Sequence, residues 1–304
     1  MYNTENRQIV QLIRQICQEQ NIKLQEFSES WILKLTKDTK TTYVFGYRFE
    51  SNSATTMAIC NDKVATYMVL NDAGLPCIDH YFFMRNHQYK QKHILQQILP
   101  YLNQYKTIVV KNNNGTGGRL IYKVTNKRQL NQALSKILAH SKFIAVSPFY
   151  QLDKEYRAIV CNGKVELIYE KVIPCVIGNG VSTVKQLIHE LPYKVKRQKN
   201  INLKYIPADG QAVKLNWKHN LSWGATANTD LDPSLKKQLT TLATSATKVL
   251  KANFVSVDMV LNNGEYKILE VNSGIMMEKF SSFTEENYQK AKQIYTKAIL
   301  SCLK

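Results

Sequence analysis

The sequence predicts an α+β fold with lobes packed around a cleft. Strand and helix patterns are interspersed, without the regular βαβ alternation of a single parallel sheet. Long apolar runs broken by Asn162-Gly163 and by Asn262-Asn263-Gly264 read as antiparallel hairpins. A chain of 304 residues can bury two or three such lobes.

In chain order, Ile9, Leu12, Ile13 and Ile16 repeat at helical spacing. Strands are expected around Trp31–Leu35 and Thr42–Phe45. Asp62 caps an expected helix to Asp72, which Gly74 and Pro76 stop. A helix is expected from His87 to Leu102. "TIVVK" and "RLIYKV" read as strands around a glycine-rich turn, and Lys127 to His140 as a helix. "KFIAVSPFY" and "YRAIVCNGKVELIYEKV" read as strands, the second holding the Asn162-Gly163 turn. Helices are expected over Pro233 to Lys251 and Glu285 to Leu303, with a hairpin between them from Val255 to Asn272.

Composition narrows the function classes. No apolar run approaches the roughly 20 residues of a membrane span. Met1 to Gln20 is polar and helical in pattern, unlike a secretory signal, so a cytoplasmic protein is expected. The six cysteines are scattered and form no CxxC pair, which favours reduced thiols over disulfides. The six histidines lack the spacing of a zinc site. The formal net charge of +18 attracts anions in general, whether nucleotide, acidic peptide or nucleic acid. Lysines concentrate in "KVKRQKNINLK", which reads either as a solvated insertion or as a contact for an anionic substrate.

Three motifs could carry chemistry. In the hairpin from Val255 to Asn272, Glu270 and Asn272 are two apart and share a face, with Asp258 at roughly the opposing position. Hard divalent cations need such converging oxygens. In "KNNNGTGGRL", Gly115, Gly117 and Gly118 let backbone N–H groups approach phosphates, and Lys111 supplies a charge. It is neither a Walker loop nor a dinucleotide fingerprint. Lys63 sits in the first turn of a helix, against the dipole, a placement an anion would favour. Taken singly, each also has an ordinary reading: a solvent-facing strand, a plain glycine turn, an exposed lysine.

Together, in this order, Lys63, Lys111 with its glycine hairpin, "EYR" at Glu155–Arg157, Asp258, Glu270 and Asn272 resemble the ATP-grasp superfamily. The nearest likeness is to the ATP-grasp module of cyanophycin synthetase and of bifunctional glutathione synthetase. "EYRAIVCNGKVELIYEKVIPCVIGNGVSTVKQLI", "IPADGQAVKLNWKHNLSWGATANTD", "SVDMV" and "ILEVNSG" carry it, over about Asn52 to Met277. The chain departs from the pattern at Pro148, Phe149, Asn179, Trp223 and Ala225, and the region before Lys63 is short.

The resemblance implies two α+β lobes gripping ATP behind a shortened N-terminal preceding domain. The divisions expected are 1–60, a lobe with the lid hairpin over 61–145, and a lobe with the metal site over 146–304. It implies phosphate binding by Lys63 and Lys111, a lid of Gly115, Thr116, Gly117 and Gly118, and an adenine hinge over Ser147, Pro148, Phe149, Tyr150 and Gln151. Glu155 would hold the ribose. Asp258, Glu270 and Asn272 would hold one or two Mg2+ ions, with Mn2+ as a substitute. Arg157, Lys111 and Asn220 would face the transferred phosphoryl group and the acyl substrate. The implied reaction is ATP-dependent joining of a carboxylate to an amine through an acyl phosphate, on an amino acid, peptide or other anionic substrate. Membrane and nucleic-acid partners are not expected, and a homo-oligomer is compatible with the open substrate side. The alternatives are a phosphotransferase and a non-catalytic nucleotide- or polyanion-binding protein.

Overall fold

The computed structural model describes residues 7–304 apart from 89, 151, 153 and 199. The expected helix at the start is α1 (Gln8–Glu19), which buries Ile9, Leu12, Ile13 and Ile16 along one stripe. Strands β1 (Lys23–Phe27), β2 (Ile32–Lys37), β3 (Lys40–Phe45) and β4 (Arg48–Phe49) then form an antiparallel sheet in chain order. Strand β1 escaped the sequence reading because it is an edge strand with four of its five residues exposed, so it shows no apolar alternation.

Helix α2 (Ala54–Asn61) starts on Ser53, whose side chain accepts from Thr56 N–H. Asp62 ends α2 and caps α3 (Lys63–Asp72), accepting from Ala65 N–H. A second sheet holds β5 (Tyr81–Met84), β6 (Ile108–Asn112), β7 (Ile121–Val124) and β8 (Phe143–Pro148), in the order β5-β8-β6-β7. Helices α4 (Gln91–Tyr105) and α5 (Lys127–Leu138) cover it, packing Ile94, Ile98 and Leu134 against Ile108, Val110 and Ile144. Helix α4 begins at Gln91, four residues later than the pattern suggested, and runs through Pro100 to Tyr105.

The central sheet is formed by β9 (Lys154–Cys161), β10 (Lys164–Val172), β13 (Thr226–Asn228), β14 (Phe254–Asn262) and β15 (Glu265–Asn272). Its order is β13-β10-β9-β14-β15, antiparallel throughout. Helix α7 (Pro233–Leu250), with Cys60 of α2 and Leu70 of α3, covers one face through Tyr156, Ala158, Val160, Val255, Val257 and Met259. On the other face, Ile159, Cys161 and Phe254 pack against α1 and the last helix, α9 (Glu285–Cys302). The remainder of that face is the floor of a cleft. Between β10 and β13 lies a small flap: β11 (Cys175–Ile177), α6 (Val184–His189) and β12 (Ala212–Lys214), cored by Val176, Val184, Leu187 and Leu215. A short helix, α8 (Glu278–Ser281), precedes α9. Among the described residues no helix is long and apolar enough to cross a membrane.

The chain passes between the two large sheets at residues 76–80. Pro76 O and Ile78 N–H pair with Ile268 of β15 before the chain enters β5. The segment after β15 is fixed by the buried Tyr295, whose hydroxyl donates to Ile275 O and accepts from Met277 N–H. Tyr295→Phe should leave both backbone groups without a partner and cost about 1–3 kcal/mol. A urea midpoint unchanged from wild type would contradict this reading of the anchor.

Candidate functional site

A cavity of about 540 Å³ lies between the central sheet, the second sheet and the flap. Its floor follows from strand register. Arg157 of β9 pairs with Asp258 of β14, and Asp258 pairs with Glu270 of β15. Cross-strand partners share a face, so the three side chains stand in a row. Ser256 pairs with Asn272 one step along the same face. The register shifts between Asp258 and Met259, leaving Leu269 as the extra residue. That bulge lets Ile268 face the core opposite Met259 while Glu270, two residues on, faces the cleft.

Asp258 is 1% exposed. Arg157 Nε and Nη2 donate to its two oxygens, both at 2.7 Å, and Lys171 Nζ lies 2.9 Å from Oδ2. Burial by itself would raise the Asp258 pKa, but Arg157 and Lys171 outweigh it and hold the carboxyl below the usual range. Lys171 also donates to Glu155 at 2.5 Å. Burial and the Arg157 charge push Lys171 down, and Asp258 and Glu155 outweigh them and raise it. The sequence reading passed over Lys171, which lies in β10 among the charged residues Lys164, Glu166 and Glu170, so its own charge does not stand out.

Glu270 is more open. Lys63 Nζ is 3.6 Å from its carboxylate, and Asn272 Nδ2 donates to Oε1 at 3.2 Å. Lys63 also ties down the glycine hairpin, donating to Gly115 O at 2.7 Å and Asn113 O at 3.3 Å. Lys111 is buried, and no ion-pair partner or hydrogen bond is found for its ammonium group among the described residues. Burial first, and the Lys63 charge second, push its pKa down to about 7, with Glu270 and Glu155 offsetting part of the shift. Beside these lysines, His80 Nδ1 bonds Ile78 O while the buried Nε2 finds no partner. Burial, then Lys111, lower the His80 pKa and keep the ring neutral. His80 was not singled out in the sequence, where a single histidine carries no spacing signal.

Gly115, Thr116, Gly117 and Gly118 form one wall of the cavity. Gly117 and Gly118 have φ of +67° and +70°, a region open to glycine at little cost. A Cβ on Gly118 would lie 3.1 Å from Asn220 Nδ2 and 3.5 Å from Trp223 Nε1, so the hairpin tip rests on the segment following the flap. Asn220 caps the 3-10 turn Leu221–Trp223 and lines the cavity. Pro148, Phe149 and Tyr150 line the opposite end. Phe149 N–H is taken by Thr107 O and Pro148 has none, which leaves Tyr150 N–H and the segment's carbonyls as the polar backbone groups there. Gln151, also expected here, lies outside the described residues.

The oxygen donors open to a cation are Glu270 and Asn272; Asp258, expected to join them, stands next to Glu270 in the row but has both oxygens taken by Arg157 and Lys171. Among the described residues no three His, Cys, Asp or Glu side chains are grouped to hold a metal ion unaided. The set suits a hard ion that takes a few protein oxygens and completes its shell with phosphate and water, as Mg2+ does.

No protein-family model matches the chain. It is 25% identical over 240 residues to the cyanophycin synthetase of Nostoc sp., covering 71% of this chain and 26% of that protein. It is 29% identical over 157 residues to the glutathione biosynthesis bifunctional protein of Clostridium perfringens, covering 43% of this chain and 20% of that protein. The chain thus spans about a quarter of these curated relatives or less. Among solved structures, a bifunctional glutathione synthetase from Pasteurella multocida superposes with a TM-score of 0.58 at 20% identity, over 96% of this chain and 44% of that one. The D-alanyl-alanine synthetase A of Vibrio cholerae superposes with a TM-score of 0.59 at 14% identity, over 97% and 92%. The fold is the ATP-grasp fold, and the sequence resemblance to ATP-grasp ligases extends over most of the chain.

The setting of Lys111 makes a direct prediction. Competitive acetylation across pH should give Lys111 a pKa near 7, and Lys63→Met should move it upward by removing the neighbouring charge. A value near that of a free lysine, or one indifferent to Lys63→Met, would contradict the site electrostatics.

Proposed function

We propose that the protein is a cytoplasmic, ATP-dependent carboxylate–amine ligase that forms an amide or peptide bond through an acyl phosphate. One observation carries the reading. A buried lysine with no acid partner among the described residues, Lys111, and a glycine hairpin share a cavity with the oxygen donors Glu270 and Asn272. Lysine and backbone N–H groups suit phosphates, and carboxylate and amide oxygens suit the cation that accompanies them. The related ligases support the assignment of substrates.

In this reading Lys63 and Lys111 bind phosphates, and Gly115–Gly118 close over them. The backbone of residues 147–151 receives the adenine, and Glu155 the ribose. Glu270 and Asn272 would hold Mg2+ beside Asp258, and the ion would offset phosphate charge. The substrate carboxylate oxygen attacks the γ-phosphorus, the bond to the β-phosphate oxygen breaks, and ADP leaves. The amine then attacks the acyl carbon, loses a proton and expels phosphate. Arg157 and Asn220 face the reacting groups. Arg157 is fixed by its two bonds to Asp258 and needs little reorganisation to meet developing charge. The hairpin excludes water from the acyl phosphate.

Hydroxylamine tests this reading. With ATP, Mg2+ and a panel of amino acids and short peptides, it should trap the activated carboxylate as a hydroxamate with matching ADP release. Glu270→Gln should cut that yield at least a hundredfold while leaving the unfolding midpoint near wild type. A phosphorylated alcohol product would identify a phosphotransferase instead. Nucleotide binding without transfer to any carboxylate would identify a binding protein.

A further inference from the structure

The charge lining the cavity is unbalanced. The three acids that line it among the described residues are matched one for one: Asp258 by Arg157, Glu155 by Lys171, and Glu270 by Lys63. Five further lysines line it with no acid partner among the described residues: Lys111, Lys123, Lys214, Lys218 and Lys279. Lys111 has its role in the phosphate site above. Lys123 lies with its ammonium 3.7 Å from the centre of the Phe149 ring, beside the hinge. The other three come from the C-terminal lobe, two of them from the flap region.

That region is itself basic. Residues 173–224 carry eight Lys and Arg and two Asp and Glu, a difference of +6. Neither acid, Glu190 or Asp209, lines the cavity. Lys218 is the most confined of the flap lysines. Its Nζ lies 4.1 Å from the centre of a Trp223 ring and 5.7 Å from that of Trp217, and donates to Gly118 O at 3.0 Å. Burial pushes its pKa down to about 8. An ammonium has three donors, and the carbonyl takes one. A lysine held against two indoles, with donors left over at a cavity wall, is a receptor for an anion.

We propose that Lys218 is a specificity residue that holds a side-chain carboxylate of the substrate, so that the substrate is an acidic amino acid or short acidic peptide. The inference rests on the ligase reading. It goes further by giving the substrate a charge and a receptor. Because Lys218 also bonds the hairpin through Gly118 O, the substrate carboxylate and the closed hairpin meet at one side chain. The cavity volume of about 540 Å³, within the size range of small-ligand sites, favours this over an extended polyanion.

Calorimetry with the non-hydrolysable ATP analogue AMP-PNP and Mg2+ present tests it. Triglutamate should bind at least about tenfold more tightly than triglutamine, the scale of one charge-assisted hydrogen bond. Lys218→Gln should erase that preference, and Lys218→Arg should keep part of it. Lys185→Gln, the same charge change on α6 outside the cavity, should leave it intact. Equal binding of the two peptides by wild type would overturn the proposal. So would an equal loss in Lys185→Gln and Lys218→Gln, which would mean a diffuse field. A single-stranded oligonucleotide that binds more tightly than triglutamate and is weakened by Lys218→Gln would also overturn it, in favour of nucleic acid. Failure of AMP-PNP to bind on its own would instead sink the ATP reading beneath it.

Discussion

Asp258 keeps a negative charge in a buried strand only because Arg157 reaches it from the neighbouring β9 and Lys171 from β10, one strand further. A carboxylate removed from water without partners would cost several kcal/mol or become protonated. Paired as it is, it ties β10, β9 and β14 together across the floor of the cleft. It also fixes the direction of Arg157, since both guanidinium bonds run to the same carboxylate. The β14–β15 bulge then sets Glu270 beside this row and Asn272 one step further. Lys63 extends the chain of contacts from Glu270 to the glycine hairpin. The nucleotide side of the cavity is thus organised outward from one buried charge.

The strand row was legible in the sequence because antiparallel pairing is local. The Asn262-Asn263-Gly264 turn closes β14 on β15 and so brings Asp258 near Glu270, although counting from the turn puts Asp258 opposite Leu269 and it is the bulge there, which the sequence does not mark, that aligns it with Glu270. The Asp62 cap and the Asn162-Gly163 turn were readable for the same reason. What could not be read depends on contacts far apart in sequence. Lys171 meets Asp258 across 87 positions, and nothing near Lys171 distinguishes it from the other charged residues of β10. Lys218 reaches Gly118 across 100 positions. His80 is defined by the burial around it, which no local pattern carries. The fate of the N-terminal segment also depended on tertiary packing. Its helix α1 joins α9, from the other end of the chain, against the central sheet.

The glycine hairpin and the basic insertion are tied to each other. The glycine hairpin is held at its base by Lys63 and at its tip by the segment after the flap, through Lys218 and the Asn220–Trp223 turn. Trp223 packs beneath ammonium groups, with Lys196 5.4 Å and Lys218 4.1 Å from a ring centre. The basic run around residues 194–204 belongs to the same small unit, and Lys196 N–H bonds Trp223 O. An anion entering between hairpin and flap would therefore meet donors from both, and its charge would be felt in a cavity whose acids are already paired.

The most direct test of this account is a double-mutant cycle on Arg157 and Asp258 read by urea unfolding. Breaking a buried pair from one side leaves the other charge stranded, so Arg157→Met and Asp258→Asn should each cost about 3–5 kcal/mol. The double variant should lose well under their sum, with a coupling of about 2 kcal/mol or more. Additive losses, or single variants as stable as wild type, would show that the cleft floor does not depend on this charge pair.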